Sequence, residues 1–278
     1  MVYQRVVVTG GASGIGRATV RRLRALGHDV VVLDADESAL GRLPEAVETH
    51  VCDVTDEERV REVAEAVTDG GPVDSLLTCA GYYELGAVED APGGAVERQF
   101  RVNVFGTLFV ARAFLPALRE SGGRLVTVAS VLGRVTLPFH GVYGATKHGV
   151  EALSDALRVE LAPHGVSVAV VEPGAVRTGF NERAKEALWA YEGEETPYAD
   201  DYRRVRESFD PGGTTPERVA ETVVEAIQAD DPKARYPVTW QARLLPVLRA
   251  VLPTAWFDAL VRARVESSGP IETLRNLR

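Results

Sequence analysis

Along the first 180 residues, short runs of valine, isoleucine and leucine alternate with longer segments whose apolar positions recur every three or four residues. "RVVVTG" precedes "GIGRATVRRLRALG", "DVVVLD" precedes "ESALGRL", and "VETHVCDV" precedes "DEERVREVAEAVTDGG". "VDSLLTCAG", a long helical stretch from about 95 to 121, "GRLVTVAS", a helical stretch from 143 to 164, and "VSVAVVEPG" continue the alternation. Strands apolar on both faces, separated by amphipathic helices, are what a parallel sheet covered on both sides requires. With "RYPVTW" as a final edge strand, the pattern predicts an α/β chain with a doubly wound parallel sheet of about seven strands.

Beyond residue 180 the pattern changes. Residues 181–213 are acidic and aromatic with weak helical signals, and read as a mobile insertion near the mouth of a site, a substrate loop. "TPERVAETVVEAIQAD" is a helix, with Thr215 as N-cap, Pro216 at the first helical position and a stripe through Val219, Val223 and Ile227. The apolar tail from 240 to 278 is interrupted by Pro246, Arg249 and Pro253, so it is no membrane span. It reads as a pair of helices packed on the domain, in preference to a lid or a membrane-surface patch. One domain covers residues 1–278, with this C-terminal helical extension.

The first strand runs directly into "TGGASGIG", where Gly10, Gly14 and Gly16, with Ala12, Ser13 and Ile15 between them, open the first helix. Glycines there permit a tight turn and close approach of the backbone to a pyrophosphate, and the helix N-terminus presents free N–H groups to the anion. Asp34 ends the second strand 20 residues beyond Gly14. Its carboxylate suits the hydroxyls of an adenine ribose and repels a 2′-phosphate, so NAD(H) is expected over NADP(H). Asp34 could instead cap the following helix. Asp53 reads equally as an adenine contact or as a turn residue before the next helix.

Tyr143 and Lys147 stand four apart in "YGATKHGVEALSDALRVEL" and so share a helix face. A compact ammonium beside a phenol favours the phenolate, which a tyrosine needs to exchange protons near neutrality. Lysine does this where a planar guanidinium would not, and the chain has only three lysines, Lys147, Lys185 and Lys233, among 31 basic residues. By spacing alone the pair reads more simply as solvent-facing. Three features reverse that: Ser130 ends the strand "GRLVTVAS", Asn103 sits inside an apolar helical stretch, and "VEPGAVRT" follows the next strand, all at one sheet edge.

Taken together, "TGGASGIG", "CDV", "CAG", "NVFG", Ser130, "YGATK" and "PGAVRT" resemble the short-chain dehydrogenases/reductases over residues 5 to about 180. The resemblance implies a Rossmann-type domain in which Tyr143 is the general acid/base and Lys147 lowers its pKa and binds the nicotinamide ribose. Ser130 would polarise the substrate oxygen, and Asn103 would hold a water in a proton relay. It further implies cofactor contacts from Asp53, Val54, Cys79, Ala80 and Gly81, and from Pro173, Gly174, Val176 and Thr178 around the carboxamide. Cys79 departs from the asparagine usual before Ala-Gly. Within the family the chain looks most like the hydroxysteroid and retinol branch.

A net charge of −9 argues against a nucleic-acid partner. Cys52 and Cys79 fall in apolar runs and suggest neither a disulfide nor a metal site. The N-terminus shows no signal-peptide pattern, so a cytoplasmic location is expected. Apolar faces in 95–121 and 143–164 predict a homodimer or homotetramer. The expected activity is NAD(H)-dependent interconversion of a secondary alcohol and a ketone. Alternatives are a 3-oxoacyl-thioester reductase, which Asp34 and the acidity disfavour, and a non-catalytic dinucleotide sensor, which has no need of Ser130, Tyr143 and Lys147 together.

Overall fold

Seven parallel strands form one sheet in the order β3-β2-β1-β4-β5-β6-β7. The computed structural model describes residues 4–186, 188, 195–208 and 212–263. The strands are β1 (Arg5–Thr9), β2 (Asp29–Asp34), β3 (Glu48–Val51), β4 (Ser75–Thr78), β5 (Arg124–Val128), β6 (Ser167–Glu172) and β7 (Arg235–Pro237). All five residues of β1 are buried, as its unbroken apolar run requires of a strand covered on both faces. β3 is shorter than its sequence run and largely exposed at the sheet edge, so Cys52 and Asp53 lie beyond its end.

On one face of the sheet, α1 (Gly14–Ala25) and α9 (Pro216–Gln228) bury Val20, Leu23, Val223 and Ile227 against β1, β2, β5 and β6. On the other, α3 (Glu57–Asp69), α5 (Thr107–Ser121) and α6 (Gly141–Leu161) bring Val63, Phe114, Leu118 and Leu161 onto it. Asp36, not Asp34, caps the short α2 (Glu37–Leu40), accepting from the Ala39 N–H. Asp56 likewise caps α3, while Asp53 accepts from both the N–H and the hydroxyl of Thr55 in a tight turn.

The expected single helix over 95–121 is interrupted. α4 (Gly93–Phe100) passes through a π turn, Arg101–Gly106, before α5 begins. One extra residue in that turn re-aims Asn103 into the protein, and such bulges are frequent at functional sites. The span Gly93–Ser121 is long and apolar enough to cross a membrane, but Val110, Phe114 and Leu118 are buried against the sheet as in a core helix.

Of the stretch read as a mobile insertion, residues 187, 189–194 and 209–211 lie outside the described residues. The remainder forms α7 (Gly179–Glu186) and α8 (Ala199–Ser208). α8 is anchored: the buried Tyr202 hydroxyl donates to Asp90 Oδ2 at 2.7 Å and accepts from the Ala87 N–H at 3.0 Å. Weak local helical signals are overridden here by burial of Tyr202 and Val205. Of the tail, the described part forms α10 (Trp240–Val251) and the helical residues 254–263, and residues 264–278 lie outside the described residues.

Candidate active site

Strand order reverses between β1 and β4, and the carboxyl ends of these two strands open a crevice. Gly10 adopts φ +67°, and a Cβ there would lie 2.8 Å from the Ala80 backbone; a Cβ on Gly16 would lie 2.1 Å from the Gly10 carbonyl oxygen. The loop is therefore packed so tightly that only glycine fits, which leaves its N–H groups open to an anion at the start of α1. Asp34 braces it from β2. Its Oδ2 accepts from the Ala12 N–H at 3.0 Å and its Oδ1 from the Asp36 N–H at 3.1 Å. A carboxylate has about four acceptor positions, so capacity remains for two sugar hydroxyls. Across the crevice, Gly14 faces the Thr178 side chain.

These elements line one cleft of about 460 Å³. Gly10, Ser13, Gly14, Ile15, Gly16 and Asp34 stand at one end; Ser130, Tyr143 and Lys147 stand at the other; Asp53, Val54, Cys79, Ala80 and Gly81 lie along it, with Pro173, Gly174, Val176 and Thr178 opposite. Ala12 and Asn103 do not line it. Lys147 is the only cation among the described lining residues. The residues present thus fit a dinucleotide, through a glycine cradle that a Cβ would fill and a carboxylate with unused acceptor positions. The Thr9 hydroxyl accepts from the N–H groups of Cys79 and Ala80, so that turn is held without an asparagine. The Cys79 thiol is pushed up to about 11 by burial.

α6 turns a polar stripe inward: Tyr143, Lys147, Glu151 and Ser154 are all buried along one face. A Cβ on Gly133 would lie 2.8 Å from the Lys147 carbonyl oxygen. This glycine lets the turn after β5 close on α6 and brings Ser130 to the Tyr143 phenol. Burial raises the Tyr143 pKa, and the neighbouring Ser130 side chain acts to lower it. Lys147 Nζ donates to the Val128 carbonyl at 3.0 Å and stands 5.7 Å from the centre of the Tyr143 ring. Burial lowers its pKa to about 8, which leaves it mostly charged at neutrality.

Asn103 is fully buried, and its side chain is engaged by protein on every side. Its Nδ2 donates to the Tyr82 carbonyl at 2.8 Å and to Thr146 Oγ1 at 3.0 Å, and its Oδ1 accepts from the Tyr82 N–H at 2.7 Å. These bonds make the side chain a brace joining the β4 loop, the π turn and α6.

Three residues missed in the sequence complete the wall beside Tyr143. The Tyr83 ring lies tilted 4.4 Å from the Tyr143 ring and stacks 5.6 Å from Phe180, and His140 lies 6.0 Å from Tyr83. Each stands within three residues of a motif, "CAG", "YGATK" or "PGAVRT", which was the available signal. His140 Nδ1 donates to the Pro138 carbonyl at 2.7 Å, so Nε2 is its acceptor nitrogen, and burial holds the ring below its ordinary pKa.

Fold and site together define a nucleotide-binding oxidoreductase. Residues 4–189 match the short chain dehydrogenase family, and the chain belongs to it. It is 33% identical over 267 residues to a probable short-chain type dehydrogenase/reductase, VdlC, of Helicobacter pylori, covering 92% of this chain and 96% of that one. Human retinol dehydrogenase 16 is 32% identical over 281 residues, covering 92% and 87%. Among solved structures, a Streptomyces avermitilis short-chain dehydrogenase superposes with TM-score 0.76 at 30% identity, over 95% of this chain and 96% of that one. An NAD+-bound xylitol dehydrogenase (TM-score 0.71, 26% identity, 84% and 96% coverage) shares the architecture. So does a Burkholderia cenocepacia enzyme in complex with NADP (TM-score 0.77, 24% identity, 93% and 97% coverage).

Proposed function

We propose that the protein is an NAD(H)-dependent dehydrogenase/reductase that interconverts a secondary alcohol and its ketone at Tyr143. The observation that carries this is that Ser130, Tyr143 and Lys147, the last one turn further along α6, line one end of a cleft whose other end is the glycine cradle and Asp34. Gly10, Gly14 and Gly16 would hold the pyrophosphate, Asp34 the adenine ribose, and Pro173 to Thr178 the carboxamide. A nicotinamide held there would supply the hydride acceptor for oxidation of the carbinol carbon and the hydride donor for reduction.

The chain's own groups handle the proton. Ser130 donates to the substrate oxygen and holds it beside the phenol. Tyr143 takes the hydroxyl proton in oxidation and gives it back in reduction. The Lys147 ammonium favours the phenolate that burial opposes, and Asn103 keeps α6 in register with the β4 loop. Asp34 and the absence of a second cation among the described lining residues support NAD(H), since a 2′-phosphate would want one. Tyr83, Phe180 and His140 favour an apolar alcohol, in keeping with similarity to a retinol dehydrogenase. We extend the reading to a cytoplasmic homo-oligomer.

Tyr143→Phe tests it. Turnover on a panel of steroids, retinoids and polyols, followed by NADH absorbance, should fall by about 10²–10⁴-fold while NADH binding persists. Undiminished turnover would sink the acid/base assignment, and tighter binding of NADPH than NADH would sink the role given to Asp34.

A further inference from the structure

The wall beside Tyr143 is apolar across its ring faces and polar at two of its tips. His140 and Tyr83 both line the cleft and are only 3% and 8% exposed. The Pro138 carbonyl takes the His140 Nδ1 proton, which fixes Nε2 as the acceptor, and burial keeps the imidazole uncharged at neutral pH. Burial, with the nearby Tyr143, holds the Tyr83 phenol well above its ordinary pKa, so its hydroxyl stays protonated and donates. Neither His140 Nε2 nor the Tyr83 hydroxyl has a hydrogen-bond partner among the described residues. The side-chain atoms sealed away without a partner belong to Gln4, Ser75, Thr78, Arg124 and Glu151, so these two tips are reachable from the cleft. Polar groups in an interior normally find partners, and two without one in the same wall call for a ligand.

Local structure does not account for the histidine. His140 is the N-cap of α6, yet its side chain makes no capping bond of the kind that Ser, Thr, Asp or Asn would supply there. The chain reaches it through Phe139 at φ +66°, a left-handed backbone that bulky side chains rarely adopt. That turn is pinned, because the Phe139 carbonyl accepts from the Gly86 N–H at 3.0 Å and the Phe139 ring meets Tyr202 edge-on at 5.6 Å. Strained backbone held by its surroundings is characteristic of ligand sites. Here it sets the His140 ring 6.0 Å from Tyr83, which in turn lies 4.4 Å from Tyr143.

We propose that Tyr83 and His140 form a hydroxyl subsite, in which a second hydroxyl of the substrate accepts from the Tyr83 hydroxyl and donates to His140 Nε2. A hydroxyl does both at once, whereas a carbonyl has no proton for His140 and an ammonium no lone pair for Tyr83. Because Tyr83 lies against both His140 and Tyr143, the second hydroxyl stands a few carbons from the reacting one. The rest of the substrate meets the ring faces of Tyr83 and Phe180. The preferred substrate is then a diol with an apolar body, or the matching hydroxyketone. This names the substrate class within the proposed function and rests on it; the affinity of the pair for a hydroxyl does not.

The test is calorimetric titration of the full chain, with NADH bound, by cyclohexanol or by each of the cyclohexanediols. An alcohol has no hydride to give to a cofactor already reduced, so binding is read without turnover. The wild type should bind at least one diol about tenfold tighter than cyclohexanol. A plain apolar wall would favour cyclohexanol, which has one hydroxyl fewer to strip of water. Tyr83→Phe, which keeps the ring beside Tyr143, should bring the preference down toward unity, and His140→Phe should do so from the acceptor side. A purely structural role for either ring would weaken every ligand equally. Absence of any diol preference in the wild type, or a preference that Tyr83→Phe leaves intact, would overturn the proposal and leave the pair to water. The titrations are repeated without NADH, so that failure to bind the cofactor, which would count against the proposed function, still leaves the diol preference readable.

Discussion

Asn103→Ala is the substitution whose consequences the structure specifies most fully. It removes two donated hydrogen bonds, to the Tyr82 carbonyl and Thr146 Oγ1, and one accepted from the Tyr82 N–H, all inside the protein. A hydrogen bond contributes about 1 kcal/mol net, and a buried group left without a partner costs about 1–3 kcal/mol. Three deleted bonds with at least one orphaned backbone group at Tyr82 therefore predict a loss of about 3–5 kcal/mol. For a chain of this size that corresponds to a melting temperature lower by about 6–10 °C, at about 2 °C per kcal/mol. The same bonds tie Thr146 to the β4 loop, and Thr146 sits between Tyr143 and Lys147 on α6. Turnover by protein that remains folded should therefore fall as well. Thermal unfolding by circular dichroism, paired with kcat measured well below the transition, reads both. A melting temperature within about 2 °C of wild type with unchanged kcat would refute the bracing role.

Lys147→Arg should lower turnover by about 10²-fold with the fold retained, because a planar guanidinium cannot reproduce the Nζ bond to Val128 beside a backbone that Gly133 already crowds; near-normal kcat would show that charge alone suffices. Glu151, buried one turn beyond Lys147 and close to Glu172, is held above the ordinary carboxylate range by burial and then by that like charge, with Arg235 pulling the other way. The native state then binds this proton more tightly than the unfolded chain does. Its stabilising effect is complete below the unfolded pKa and is lost as pH rises through the raised folded value. Glu151→Gln should accordingly gain stability relative to wild type between about pH 5 and pH 8, measured by urea unfolding at each pH, and a difference that is flat or of opposite sign would contradict the account.

The alternation of apolar runs with helical segments was sufficient to place seven strands in one doubly wound sheet, because strand and helix periods are written within a few neighbouring residues. The glycine cradle was legible as a local motif between strand and helix, and a Cβ on Gly16 would meet the Gly10 carbonyl six residues away, whereas the crowding of Gly10 by Ala80 is a tertiary contact. Lys147 announced itself by rarity and by its four-residue offset from Tyr143. What the sequence could not say is what those residues touch. Asn103 was singled out, yet its partners Tyr82 and Thr146 lie 21 and 43 positions away. Only the π turn and the packing of α6 decide that its amide braces the site. The aromatic wall of Tyr83, His140 and Phe180 draws on three segments far apart in the chain: the loop after β4, the start of α6 and the start of α7.

The tail shows the same division. Composition marked residues 240–260 as apolar and broken by proline, which is compatible with packing, covering or docking. Only the docking of Leu245 on the cluster around Tyr143 decided which face of α10 turns inward, and therefore that Trp240, Leu244, Val247 and Val251 face out. Local sequence determines periodicity and turn chemistry because those depend on near neighbours. Which side chains meet, and which apolar face remains uncovered, depends on packing between elements far apart in the chain, and that was decided by the tertiary structure alone.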